Sequence, residues 1–343
     1  MRVHSKIHQA KIHRAKIHRI IPAAAFAATM AVSSLALAVE KWDLPLAWPL
    51  GNFHVKNAQV FADEVRRVTD GEVDITIQPG GALGYKGPEM LGVVRDGLVP
   101  IGDVLLNQQV GEEPFLGIES VPYLASGFAE VRVLQTFSRP VYEKLAKKHN
   151  QKILYIVPWP GQNVYSKTEI NVLDDLKGLK IRTVDKNGTD FFGKLGASPT
   201  QLPWGEVVPS LASGAINGVT TSSSSGVDGK FWEFLKYCNQ FHWQSASNMV
   251  NVNLDAWNRL KPEHQEAIEE LARELEAKFW EAAINEDEAK LAILSENGVT
   301  VSAPNPELRG ALVAVAEEMW GDFVERVPEA GPVITAYRKM IGK

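Results

Sequence analysis

The chain has 343 residues, 45% of them apolar, which is material for about two domains around a sizeable core. One cysteine, Cys238, excludes an internal disulfide framework and a multi-cysteine zinc site, and is expected to be a buried, inert thiol. The formal net charge of −5 excludes the basic footprint of a nucleic-acid binder, and no apolar run beyond the N-terminus approaches the ~18 residues of a membrane span.

Residues 1–19 carry Arg2, Lys6, Lys11, Arg14, Lys16 and Arg19 and no acidic residue. The apolar stretch 20–37 follows and closes on Ala36-Leu37-Ala38, a small-residue cleavage pattern. Residues 1–38 are therefore expected to be a signal peptide and the chain periplasmic, with an uncleaved signal anchor as the alternative. The Lys-Ile-His triplets at 6–8, 11–13 and 16–18 fit a long basic leader better than a metal-binding repeat. Without residues 1–38 the chain keeps 30 Lys and Arg against 41 Asp and Glu, a charge near −11.

An opening strand is expected over 41–48, then a loop at 49–53. Apolar Val55, Ala58, Phe61, Ala62 and Val65 predict a helix over 55–68, stopped by Thr69-Asp70-Gly71. Strict alternation predicts a strand over 73–77. The glycines at 80–84 match no phosphate-binding pattern and read as a turn. A short helix is expected over 88–96 and a buried strand over 101–106. That strand ends in Asn107-Gln108-Gln109, amides placed either to line a crevice or to sit in a solvated loop. A helix over 128–149 and an apolar strand over 153–157 lead to Pro158-Trp159-Pro160-Gly161-Gln162-Asn163.

The stretch 176–225 organises the rest. It sets Arg182 at the end of an apolar run (Leu179, Ile181), followed by a helix, a second strand-turn unit and a Thr/Ser loop at 220–225. A lone arginine at a strand end, facing glycine- and hydroxyl-rich loops, suits a carboxylate clamp. Residues 231–237 look helical, and 241–243 and 249–254 look like strand or crossover. Residues 261–296 form the most regular helical pattern, with Pro262 in the first turn and Gly298 as a stop. Such a helix would run ~50 Å, enough to brace two lobes; two helices broken near Asn285 are the alternative. Repeated strand–helix alternation argues for an α/β fold with largely parallel sheets.

Several segments then resemble one known family. Phe61-Ala62-Asp63-Glu64-Val65, Val121-Pro122-Tyr123, Leu176-Lys177-Gly178-Leu179-Lys180-Ile181-Arg182, Leu195-Gly196-Ala197-Ser198-Pro199, and Glu206-Val207 through Asn217-Gly218 together look like the substrate-binding proteins of tripartite ATP-independent periplasmic (TRAP) transporters, of the DctP type. The resemblance implies a two-lobed, type II-like periplasmic binding protein, with a cleft between the lobes and a long helix spanning both. It places lobe I at 39–160 plus about 249–288, and lobe II at 161–248 plus about 289–343. It further implies a monomer that captures a small organic acid and delivers it to a membrane permease, without catalysis or cofactor.

By the same resemblance, Arg182 makes a bidentate salt bridge to the ligand's carboxylate, and Trp204 lies against the ligand. Gln162 and Asn163 fall near a second ligand-binding arginine of some members, which this chain lacks. Thr221 falls where metal-coordinating members carry a Glu, so no ligand-bridging metal is expected. Trp48, Phe53, Tyr85, Trp159 and Trp204 sit on loops or strand ends expected to face the cleft, with Gln108 beside them; Trp280 and Trp320 are assigned to packing. An aromatic wall with one arginine suits a monocarboxylate with an apolar or ring-containing body. A dicarboxylate or sugar-acid binder, or a sensor feeding a membrane kinase, are the alternatives. A hydrolase is disfavoured: neither GxSxG nor HExxH occurs, and beyond residue 38 no histidine lies within four residues of another.

Overall fold

Alternating stretches near the N-terminus pair first. In the computed structural model, which describes residues 39–342, β1 (Glu40–Pro45) lies parallel to β2 (Val73–Gln78), with α1 (Phe53–Val68) crossing between them. The predicted apolar face of α1 is buried, and Asn52 caps it by accepting from the His54 amide at 2.9 Å. The chain continues through α2 (Met90–Arg95), β3 (Ile101–Leu105), α3 (Phe128–Lys148) and β4 (Gln151–Pro158). It then crosses into β5 (Asn163–Ser166), β6 (Lys180–Thr183), α4 (Lys186–Lys194), β7 (Ser198–Gln201), α5 (Val207–Ala212), β8 (Gly218–Thr221), α6 (Ser223–Asp228) and β9 (Tyr237–Asn239). It returns through β10 (Ser247–Asn253) and α7 (Leu254–Asn258) to α8 (Pro262–Glu296), β11 (Thr300–Ser302), α9 (Pro306–Arg326) and α10 (Ala330–Ile341).

Two lobes follow from the sheets. One holds the β1–β2 pair and a three-stranded sheet of order β3-β10-β4; the other holds a six-stranded sheet of order β11-β9-β5-β8-β6-β7. The expectation of largely parallel sheets is corrected here. β10 runs antiparallel to both its neighbours, and β5 is antiparallel to β8 and β9, because the chain crosses between lobes rather than winding within one. Only β6, β7 and β8, and the β9–β11 pair, keep parallel partners in the larger sheet. Gly178 and Gly196 adopt φ of 72° and 80°, where a side chain is strained, and the Gly178 amide donates to Gly196 O at 2.9 Å. That turn chemistry aligns β6, and Arg182 with it, beside β7.

Helix α8 is continuous over 35 residues, about 50 Å, so the broken alternative is excluded. Ile268, Leu271, Leu275 and Phe279 enter the first lobe's core, and Leu294 enters the second's. Helix α9 does the same, with Leu308 and Leu312 in one cluster and Phe323 in the other.

Two further readings change. Residues 231–237 are not helical: a single 3₁₀ turn, Phe231–Glu233, precedes strand β9. The buried Cys238 sits at the centre of β9, flanked by Tyr165 and Val301, and its thiol is pushed up to about 12 by burial. The Ser run is also not a loop. Ser222 caps α6 by accepting from the Ser225 amide at 3.2 Å, and the run is buried.

Candidate ligand-binding site

Strand alternation turns Ile181 into the apolar cluster behind β6 and Arg182 to the opposite face. There Arg182 is 2% exposed, and its Nε donates to Leu202 O at 2.9 Å. Its two terminal nitrogens have no hydrogen-bond acceptor and no ion-pair partner among the described residues. Burial pulls the guanidinium down to about 10, a shift that the field of nearby Asp185 partly offsets. A buried guanidinium still charged at neutral pH, with no direct ion pair among the described residues and only the field of Asp185 to balance it, calls for an anion.

The space in front of it is a narrow cavity lined from both lobes. Trp48, Trp159 and Trp204 form its aromatic wall. Trp48 and Trp159 meet edge to face with ring centres 4.7 Å apart, and Trp204 lies 6.3 Å from Trp48. Their orientation is set by a buried polar chain. Trp48 Nε1 donates to Asp103 Oδ1 at 3.0 Å, Asn248 Nδ2 donates to the same oxygen at 2.5 Å, and Trp159 Nε1 donates to Asn248 Oδ1 at 2.6 Å. Burial pushes the Asp103 carboxyl up to about 7, against the pull of those two donors. Behind the wall, Phe53 and His54 pack on Trp159, and burial depresses His54 to about 3, so it is neutral.

The polar lining is uncharged apart from Arg182. Gln162 donates its amide N–H to Pro160 O at 2.9 Å, and the Thr221 hydroxyl has no partner among the described residues. Asn107 Nδ2 donates to Asp185 Oδ2 at 2.9 Å, while Asn107 Oδ1 is buried without a donor. Asp185 caps α4 by accepting from the Gly188 amide at 2.9 Å, and burial raises its carboxyl against these hydrogen bonds. Among the described residues, no three His, Cys, Asp or Glu side chains cluster as metal ligands.

Of the residues expected at the cleft, Arg182, Trp204, Thr221, Gln162, Trp159 and Trp48 line this one cavity. The other four do not. Tyr85 packs against the cluster around Met90, and Gln108 is buried beside that lining without joining it. Asn163 opens β5 opposite Thr221 but is fully buried, its amide atoms unpartnered. Phe53 supports Trp159 from behind. Leu105, Val184 and Ala246 also line the cavity and carry no chemical signal in the sequence, while Ser222 and Ser225 come from the hydroxyl-rich run expected to face Arg182, as a helix start rather than a loop. Of the amides expected past the end of β3, Asn107 lines the cavity and Gln108 does not.

Residues 47–326 match the model of the bacterial extracellular solute-binding proteins, family 7. The chain belongs to this family. Its members are the solute-binding receptors of TRAP transporters, and they are not enzymes. An extracytoplasmic solute receptor of Bordetella pertussis solved with pyroglutamic acid is 31% identical, covers 88% of this chain and 100% of its own, and superposes with a TM-score of 0.85. A marine metagenome TRAP receptor specific for pyroglutamate is 29% identical, with 88% and 99% covered and a TM-score of 0.84. A monocarboxylate 2-oxoacid-binding periplasmic protein of Nostoc is 29% identical over 242 residues, 66% of this chain and 63% of that protein. The presumed signal segment lies outside the described residues, and among these no helix is long and apolar enough to cross a membrane.

Proposed function

We propose that this family 7 receptor captures a small monocarboxylate with a compact ring body, held at its carboxylate by Arg182, and hands it to the membrane permease of a TRAP transporter. The observation that carries the reading is Arg182 itself: buried, charged, and with both terminal nitrogens unengaged. A planar guanidinium fork matches a carboxylate with two parallel N–H···O bonds, which a lysine cannot reproduce. Among the described residues Arg182 is the one cation lining the cavity, so a second carboxylate would be left without a charged partner. The three indoles favour a flat or ring-shaped body over a polyhydroxy one. Two relatives at about this degree of identity hold pyroglutamate, which makes that cyclic amide acid the first candidate.

A thermal-shift screen over organic acids tests this. Pyroglutamate or a similar cyclic monocarboxylate, present at a hundred times its dissociation constant, is expected to stabilise the folded chain by ~2.7 kcal/mol. A response confined to dicarboxylates or uronic acids would contradict the reading.

A further inference from the structure

The polar groups in the cavity specify more than a carboxylate. Asn107 follows β3 in one lobe, and its Nδ2 is committed to Asp185 Oδ2, which caps α4 in the other. That bond fixes which end of the amide is which, because the carboxylate accepts and only the nitrogen can donate to it. The oxygen left over is buried and has no donor from any described residue. Asn107 itself is 1% exposed and lines the cavity.

Buried acceptors in folded proteins are nearly always paired, and an unpaired one beside a ligand cavity marks a place for a donor. The cavity is thus lined on one lobe by Arg182, with free donors, and on the other by Asn107, with an uncommitted acceptor. We infer that Asn107 Oδ1 accepts a hydrogen bond from an N–H or O–H of the ligand, so that the site selects a monocarboxylate that also carries a hydrogen-bond donor, such as a ring amide. This rests on the carboxylate reading of Arg182 and adds the second point of recognition. A ligand held at both points ties the lobes together beside the Asn107–Asp185 bond. An acid without the donor leaves Asn107 Oδ1 unpaired in a closed site, and a site built for a donor rejects such analogues strongly.

The test compares two acids that differ at one atom. Pyroglutamate has a ring N–H; its lactone counterpart, 5-oxotetrahydrofuran-2-carboxylate, has a ring oxygen there and the same outline. In calorimetric titration of the wild-type chain, the lactam is expected to bind roughly ten to a hundred times more tightly. In Asn107→Leu, checked for folding by its ligand-free melting temperature, that preference is expected to shrink to within about threefold, the residue of a lost hydrogen bond. Equal binding of the two acids by the wild type would overturn the inference, as would an undiminished preference in Asn107→Leu. The wild-type comparison decides even if the variant fails to fold. If neither ring acid binds, lactate and propionate replace them. A preference for lactate then supports the donor while overturning the ring, and equal affinity overturns the donor while leaving the Arg182 carboxylate site in place. Binding of none of the four by the wild type would overturn both.

Discussion

On the proposed reading, Arg182 is unfavourable for folding until a ligand arrives. Its charge is buried with one carbonyl in contact and the field of Asp185 nearby, and desolvation pulls it down to about 10. Asp103 is the matching group on the other lobe: buried and acidic, with two donors and no cation. Its folded pKa of about 7 lies above the ordinary 3.8, so the folded chain holds this proton more tightly than the unfolded one. The charged form therefore penalises folding fully above about pH 7, and the penalty is relieved as pH falls toward 4. Asp103→Asn keeps an oxygen for Trp48 and Asn248 and removes the charge. Melting curves are expected to show it several degrees more stable than wild type at pH 8, with the gain largely gone at pH 5. An equal gain at both values would contradict this account of the Trp48 anchor. Both residues illustrate what a sequence reveals at this scale. Arg182 was legible because a guanidinium ending an apolar strand has few bland explanations. Asp103 was not, because an acid inside a buried strand shows its purpose only when an indole from residue 48 and an amide from residue 248 converge on it.

At the scale of elements, long periodic segments were readable and short ones were not. The stripe of α8 spans enough turns for its helical period to dominate, and its 35 residues emerge unbroken. β9 has three residues, too few for alternation to register, and its strand character comes from pairing with β5 and β11. The buried Ser run carries no helical signal of its own, because serine favours turns when nothing else acts on it. Tertiary contacts decide otherwise: Ser222 caps α6, and the Ser223 hydroxyl donates to Asp287 on α8 at 2.6 Å, pinning the short helix to the long one. Since Ser222 and Ser225 line the cavity, this cap shapes the site as well as the helix. Ser222→Ala is expected to lower stability by about 1 kcal/mol, the usual worth of an N-cap. Denaturant unfolding measures it, and a midpoint unchanged from wild type would show that the cap contributes nothing.

Across the whole molecule, the two lobes are joined by α8, by α9 and by the paired crossings around residues 158–163 and 239–247, and the cavity lies where they meet. Several contacts among the described residues bridge the lobes besides the cavity walls, among them Asn187 Nδ2 donating to Gly117 O and to Ser120 Oγ. Asn52 Nδ2 donates to Asp228 Oδ2 at 2.6 Å, Asn107 reaches Asp185, and Lys86 pairs with Glu206 at 3.0 Å. The last is solvent-exposed on both sides and contributes little to holding the lobes. The Asn52 and Asn107 bonds are more shielded, and the burial of Arg182 strengthens any ion pair formed there. The two-lobed plan was legible from the strand–helix alternation and the family resemblance together. The mixed sheets were not, because strand direction depends on where the chain crosses between lobes, and no local pattern records that. The central claim is that Arg182 is kept unpaired for a carboxylate at the expense of stability. The direct measurement is the melting temperature of Arg182→Met with and without pyroglutamate. The account expects the ligand-free variant to melt several degrees above wild type and to show no shift on adding ligand. A variant that melts lower than wild type and still responds to ligand as wild type does would contradict it.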